Sequence, residues 1–219
     1  AYLELAQGLP AETESEQREF IFLKTEEILT HARKINPLNT DHSANLARFY
    51  KSWAARVASD MSAEGLTAAQ QATLTNQYDK LLQQAEENYK IALTLSPNNP
   101  IIWNELAQLY AIEFADDLKF QETISTSLAV DEGFEQTWML LGDMRSSKGD
   151  LAGAVAAYQK SLEIRVELDQ PALSMEPIAG LVETYMAMDD LDSASREVEK
   201  IVQFLRTGSA LEGTDEPLR

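Results

Sequence analysis

Apolar and small residues recur along the chain at intervals of three and four, the spacing that lines one face of an α-helix. Three stretches repeat this pattern with the same internal order. Residues 135–168 carry Trp138, Leu141 and Gly142, a Gly149-Asp150 turn, then Ala154, Tyr158 and Ser161. Residues 100–134 carry Trp103, Leu106, Ala107 and Tyr110, followed by a weaker half with Phe120, Ile124 and the run from Ser127 to Asp131. A third copy reads Ile178, Leu181, Val182, Tyr185, Asp189-Asp190, Ala194, Val198 and Ile201. Each predicts two helices joined by a tight turn, and the first residues of the 100 and 135 copies lie 35 positions apart.

Upstream the pattern is split. Leu46, Ala47 and Tyr50 match the first half of such a unit, and Ala85, Tyr89, Ala92, Leu93 and Pro97 match the second. About twenty extra residues separate them, counted against a period of ~34. Ala32 to Pro37 reads as the end of another second helix, which makes 16–35 an orphan half-repeat and residues 1–9 a stub of its partner.

An aromatic residue, a leucine with a small residue, a tyrosine, an alanine, a second aromatic and a closing proline over ~34 residues form the signature of the tetratricopeptide repeat (TPR). The chain resembles that family over roughly 15–206, although Arg145 stands where tyrosine is usual and Val166 replaces the closing proline. The resemblance implies an all-α fold, a TPR-like right-handed superhelix (solenoid) of antiparallel helix pairs with one elongated helical hairpin. It implies a single solenoid over 1–206: orphan helix 16–35, then repeats at about 40–97, 100–134, 135–168 and 175–206, with a flexible tail at 207–219. Small residues such as Ala47, Ala107, Gly142, Ala154 and Ala194 are expected to let paired helices approach closely. Trp103, Trp138, Tyr89 and Tyr158 are expected to fill the core between neighbours. Each pair leaves a half-covered apolar face and so needs the next.

Between Trp53 and Ala85 the helical pattern continues. Ala54, Ala55, Val57, Ala58 and Met61 extend the first helix, and Gly65 is expected to end it as a left-handed cap. Thr67 with Gln70 three residues later forms a capping box. Leu74, Tyr78, Leu81 and Leu82 then carry a helix from about 68 to 95, about 42 Å long at ~1.5 Å per residue. Two helices lengthened together are expected to project as a hairpin, either packed on itself, with Leu74 and Tyr78 against Val57 and Met61, or offered for docking or self-association.

Charge narrows the partners. The net charge of −18, from 36 acidic and 18 basic side chains, repels a phosphate backbone and argues against nucleic acid. The absence of cysteine removes disulfides, thiolate metal sites and cysteine nucleophiles. No apolar run approaches the ~18–20 residues that span a bilayer, so this chain is not expected to insert in a membrane. It opens on Ala1 instead of methionine, which reads as a segment of a longer protein.

Candidate chemistry is thin. Asp41-His42-Ser43 holds the letters of a hydrolase triad, but neighbours in sequence do not converge on one substrate atom; Asp41 or Thr40 is expected to cap the helix after Pro37. Asp189, Asp190 and Asp192 lack the alternation, glycine and distal glutamate of a calcium loop and fall where Gly149-Asp150 falls in the preceding copy. No phosphate loop, nucleophile elbow or metal-ligand spacing is present. The expectation is a binding protein without catalytic residues, metal or cofactor.

In TPR proteins the first helices line a concave groove. Carried over by alignment, that groove takes Asn45, Arg48 and Lys51, then Asn104, Glu105 and Gln108, then Met139, Leu140 and Asp143, then Glu183 and Met186. Asn45 is a partial echo of the two-carboxylate clamp that grips chaperone tails, but Glu105, Asp143 and Glu183 would repel such tails. The run from cationic to acidic implies a protein or peptide of mixed or positive charge, held by the amides of Asn45, Asn104 and Gln108. The stretch from Ile35 to Tyr50 also resembles TPR tails of bacterial O-antigen ligase or polymerase-like membrane proteins, which implies a partner-recruiting part of a larger membrane-anchored assembly.

Overall fold

Helix ends in this chain are written by Asx caps and left-handed turns, and they divide it into antiparallel rods. In a computed structural model of the chain, residues 15–167 and 175–207 are described, and all regular structure among them is helical. The elements are α1 Ser15–Ile35, α2 Thr40–Met61, α3 Ala68–Leu95, α4 Pro100–Gln108 continuing into a π-helical turn Leu109–Glu113, α5 Asp117–Val130, α6 Glu135–Ser147, α7 Leu151–Glu167, α8 Met175–Ala187 and α9 Leu191–Thr207. The expected stub at 1–9, the expected tail at 207–219 apart from Thr207, which ends α9, and the Val166 side chain lie outside the described residues. The chain folds as two compact units, one ending at Lys119 and one beginning at Phe120.

Two kinds of turn recur. Between pairs, Asn39 and Asn99 cap the next helix: Asn39 Oδ1 accepts from the Asp41 amide at 2.9 Å, and Asn99 Oδ1 from Ile101 at 3.1 Å. The cap before α2 is therefore Asn39, and Thr40 and Asp41 already lie inside the helix. With Pro37 opening the turn, Asn39 is the last residue in extended geometry, and the cap falls to the side chain at that position. Trp103 and Trp138 reach back to this turn, their indole N–H groups donating to Pro97 O and Glu132 O at 2.7 and 2.9 Å. Both rings stay half-buried, so the tryptophans clip a turn and do not fill the core as expected. A donor N–H on an amphipathic ring favours such an edge position.

Within pairs, Gly149 (φ +78) and Asp189 (φ +59) turn the chain left-handed. The aspartate that follows caps the next helix, Asp150 accepting from Gly153 and Asp190 from Ser193. The expectation that Asp189-Asp190 is turn and cap is met. In the 100–134 copy the same turn is Ala115 (φ +48) with Asp116 accepting from Lys119. The Asp150 and Asp190 amides donate to carbonyls five residues back, Arg145 and Tyr185, but Asp116 donates six back, to Tyr110. This copy therefore carries one extra residue before its turn, in line with the 35-residue spacing. The π turn holds it, Phe114 N–H donating to Leu109 O, the widened geometry that absorbs a single insertion.

In the first unit α1, α2 and α3 pack side by side. Phe22 stacks on Trp53 with centroids 5.2 Å apart and leans on Phe49. Tyr50 donates to Glu26, and Tyr110 to Glu86, both at 2.8 Å and both across 24 residues, so the repeat tyrosine ties each pair to the helix before it. The Thr67–Gln70 capping box opens α3 as expected. Gly65 does sit left-handed (φ +81), but α2 ends earlier, at Met61, with Ser62 closing the last turn. The hairpin does not stand clear of its neighbours either. Arg18 of α1 pairs with Asp60 near the end of α2 at 3.2 Å, and Tyr78 of α3 donates to Glu113 of the π turn. α1 and the π turn both make polar contacts to it.

In the second unit Ser127 of α5 and Thr137 of α6 share a buried hydrogen bond. The core centres on Tyr158 of α7, buried with Ala154 and Leu181. A β-carbon at Gly142 of α6 would lie 2.6 Å from the Tyr158 ring, and one at Gly180 of α8 would lie 2.7 Å from it. The ring is clasped between two glycines on two helices. Arg165, 2% exposed, donates to Glu176 at 3.1 Å and lies 3.9 Å from Glu135, itself 7% exposed. A charge so far from water is tolerated only while paired.

Two stability predictions follow from this unit. Gly180→Ala is expected to lower unfolding free energy, since overpacking at about 1–3 kcal/mol outweighs the gain of roughly 1 kcal/mol in helix propensity; urea denaturation reads the sign, and an unchanged midpoint would refute the clasp. Arg165→Leu is expected to cost about 3–5 kcal/mol by stranding Glu135. Adding Glu135→Leu to it should recover part of that loss in the same assay.

Candidate partner-binding faces

The groove residues drawn from alignment divide between the units. In the first unit Arg48 of α2 is spent internally. Its Nε donates to both Glu105 oxygens at 2.9 and 3.1 Å, and one Nη donates to Asn45 Oδ1 at 2.9 Å. Arg48 and Glu105 side chains are only 31% and 22% exposed, so a charge-assisted fork joins α2 to α4. Beneath it lies the wholly buried Tyr89, whose phenol is pushed up chiefly by burial and then by the Glu105 carboxylate, although its hydroxyl does not meet hydrogen-bond geometry. Asn104 is buried at 6% exposure, and Lys51 and Gln108 are half-buried. The cationic end expected at Arg48 is thus neutralised by Glu105, and the Asn45 carboxamide oxygen is taken by Arg48. The alignment placed these side chains on one face, but the partners lie 57 residues apart, beyond what local spacing can register.

In the second unit the acids stay on the surface. Asp143 of α6 accepts from Tyr158 Oη at 2.8 Å. Its carboxyl is raised above the ordinary aspartate range, first by burial and then by Glu176 and Glu183, while the Tyr158 hydrogen bond pulls it back. Glu183 and Met186 on α8 are exposed, Met186 at 59%. Met139 rests half-buried against the Tyr158 cluster, and Leu140 is buried in the core, so it is no groove residue. Asp143, Glu176 and Glu183 therefore share one electrostatic neighbourhood, with flexible, polarisable Met139 and Met186 on the same two helices. Glu176 was missed in the sequence because it lies two residues ahead of the repeat's first core position, Ile178.

The comparisons with known proteins agree with this architecture. Residues 135–165 match the tetratricopeptide repeat family model, the copy that the sequence shows most clearly. No curated protein matches the chain. Among solved structures, MamA superposes with a TM-score of 0.56 at 14% identity, over 91% of this chain and 98% of that one. A human IFIT1 dimer with PPP-AAAA gives 0.55 at 17%, over 86% of this chain and 45% of that one. The chain thus spans less than half the length of the IFIT1 chain it matches. BtubC (BKLC) from P. vanneervenii gives 0.51 at 16%, over 95% and 98%. At these identities the likeness concerns fold alone. The fold is all-α and TPR-like, a helical scaffold class that fits protein interaction.

The Asp143 environment is open to measurement. Because its folded pKa is raised, the fold favours the neutral acid, and the cost of ionising it is absent at low pH and sets in as pH rises through the folded value. Asp143→Asn keeps an acceptor for Tyr158. It is expected to be more stable than the parent at neutral pH, with the advantage vanishing below the ordinary aspartate range. Thermal melts across pH read this; an advantage that persisted at low pH would contradict the assignment.

Proposed function

We propose that the chain is a protein-binding scaffold whose partner segment is cationic, or mixed in charge with a basic stretch, and sits on the α6–α8 face of the second unit. The carrying observation is the joint placement of Asp143 and Glu183 with Met139 and Met186, beside a Glu176 that Arg165 already pairs, against an Arg48 that Glu105 already neutralises. Exposed carboxylates of like sign close together attract basic side chains through their summed field, and thioethers adapt to varied apolar shapes. The net charge of −18 adds long-range steering of the same sign. It also argues for a basic protein segment over a phosphate-bearing ligand such as the PPP-AAAA of the IFIT1 structure. Among the described residues no cluster of metal-ligating side chains occurs, and no described helix is long and apolar enough to cross a membrane. A recruiting role beside a membrane-anchored assembly remains what the Ile35–Tyr50 resemblance implies, and the same face would serve it.

Fluorescence anisotropy tests this with three labelled probes: a lysine-rich amphipathic peptide, its glutamate-rich counterpart and a 5′-triphosphate RNA. The basic peptide alone is expected to bind, more weakly as salt rises. Glu183→Lys combined with Asp143→Asn should weaken it about tenfold or more, roughly 1.4 kcal/mol. Binding of the acidic peptide or the RNA, or unchanged affinity in the double variant, would remove the proposal.

A further inference from the structure

Two tyrosines hold the same place in different repeats and meet opposite neighbours. Tyr89 and Tyr158 each stand four residues after the small alanine of their helix, Ala85 and Ala154. Across the pair, each meets the residue two after the repeat leucine: Arg48 after Leu46, and Asp143 after Leu141. Both rings are buried, so packing accounts for an aromatic side chain at either place. It does not account for a hydroxyl, which phenylalanine would lack. Under the Arg48–Glu105 fork the Tyr89 hydroxyl is wholly buried and outside hydrogen-bond geometry. Under Asp143 the Tyr158 hydroxyl donates to Oδ1 at 2.8 Å.

The second hydroxyl has work to do on charge and on direction. Asp143 faces Glu176 and Glu183 of α8, both of its own sign. Arg165 of α7 is already engaged by Glu176 and Glu135. Like charges oppose ionisation, and a hydroxyl donating to a carboxylate favours it. Tyr158 thus pulls the Asp143 carboxyl back toward its charged form against burial and the two glutamates. Its ring cannot follow a moving carboxylate, because β-carbons at Gly142 and Gly180 would lie 2.6 and 2.7 Å from it. The hydroxyl is therefore a fixed point, and with Asp143 exposed the second carboxylate oxygen is left to a cation from outside. We propose that Tyr158 is a positioning residue, a role that rests on the α6–α8 face binding a basic segment: from inside the core, its hydroxyl orients the Asp143 carboxylate and keeps it charged for a basic side chain of the partner. The incoming cation then makes a charge-assisted bond to an acceptor already in place, without the cost of ordering it.

Binding of the lysine-rich peptide, followed from neutral to acid pH at constant salt, puts this to the test. Tyr158→Phe keeps the ring between its glycines, so helicity by circular dichroism should match the parent. Affinity is expected to fall about threefold to tenfold, the worth of one hydrogen bond. The loss of binding in acid should also move to higher pH, because Asp143 without its donor takes up a proton more readily. In an Asp143→Asn background the same substitution should change affinity by less than about twofold, the mark of one shared interaction. Asp143→Glu, with Tyr158 untouched, keeps the charge but carries it past the fixed hydroxyl, and should weaken binding too. Tyr89→Phe should leave binding as it is. A Tyr158→Phe protein with parental affinity and pH profile would overturn the role of Tyr158 while the basic-partner reading stands. So would an equal loss in the Asp143→Asn background, or an Asp143→Glu protein that binds as well as the parent. A parent that fails to bind the peptide at all would overturn both.

Discussion

The second unit depends on one ring held where two helices have no side chain. Tyr158 enters between Gly142 and Gly180, so α6 and α8 close on it to distances that a methyl group would forbid. Close packing makes this contact unforgiving, because interiors have no spare volume to absorb a methylene. The same residue then does electrostatic work, since its hydroxyl holds Asp143 at the surface edge of α6. Packing and surface charge are thus joined in a single side chain, and the Asp143 carboxylate is held by the core beneath it.

The first unit solves the stacking problem with length and with paired polar contacts. Tyr50–Glu26 and Tyr110–Glu86 repeat the same tie across successive helices. Arg33 adds a contact to the buried Asn88 of α3, so α1 is bound to both of its neighbours. An array in which each rod covers the next distributes its stability over such interfaces instead of one centre. The long α2–α3 hairpin is stable in this setting because α1 runs beside it as far as Asp60.

Legibility in the sequence followed the range of the interaction. The Thr67–Gln70 box, the Asp189-Asp190 turn and the span of α3 were readable because each is set by residues within one or two helical turns. The cap before α2 was misread because Asn39, Thr40 and Asp41 are all competent caps, and only the turn geometry after Pro37 picks among them. Gly180 escaped notice because the repeat template seeks its small residue at the position of Val182. Arg48 and Glu105 sit at correct alignment positions, but their mutual neutralisation depends on two helices meeting in space. Glu176 escaped for a similar reason: its pairing with Arg165 and its field at Asp143 come from helices meeting in space and not from any motif.

The π turn has a consequence for how such repeats are recognised and how they drift. Counting forward from Trp103, every landmark after Tyr110 is one step late; counting backward from Asp116, the capping pattern is in phase again. The widened turn works as an expansion joint, taking up the odd residue so that neither the aromatic clip on one side nor the aspartate cap on the other is displaced. A length change that would scramble a heptad or a strand register is thereby rendered local, and the chain's architecture keeps time by its turns and not by its residue count.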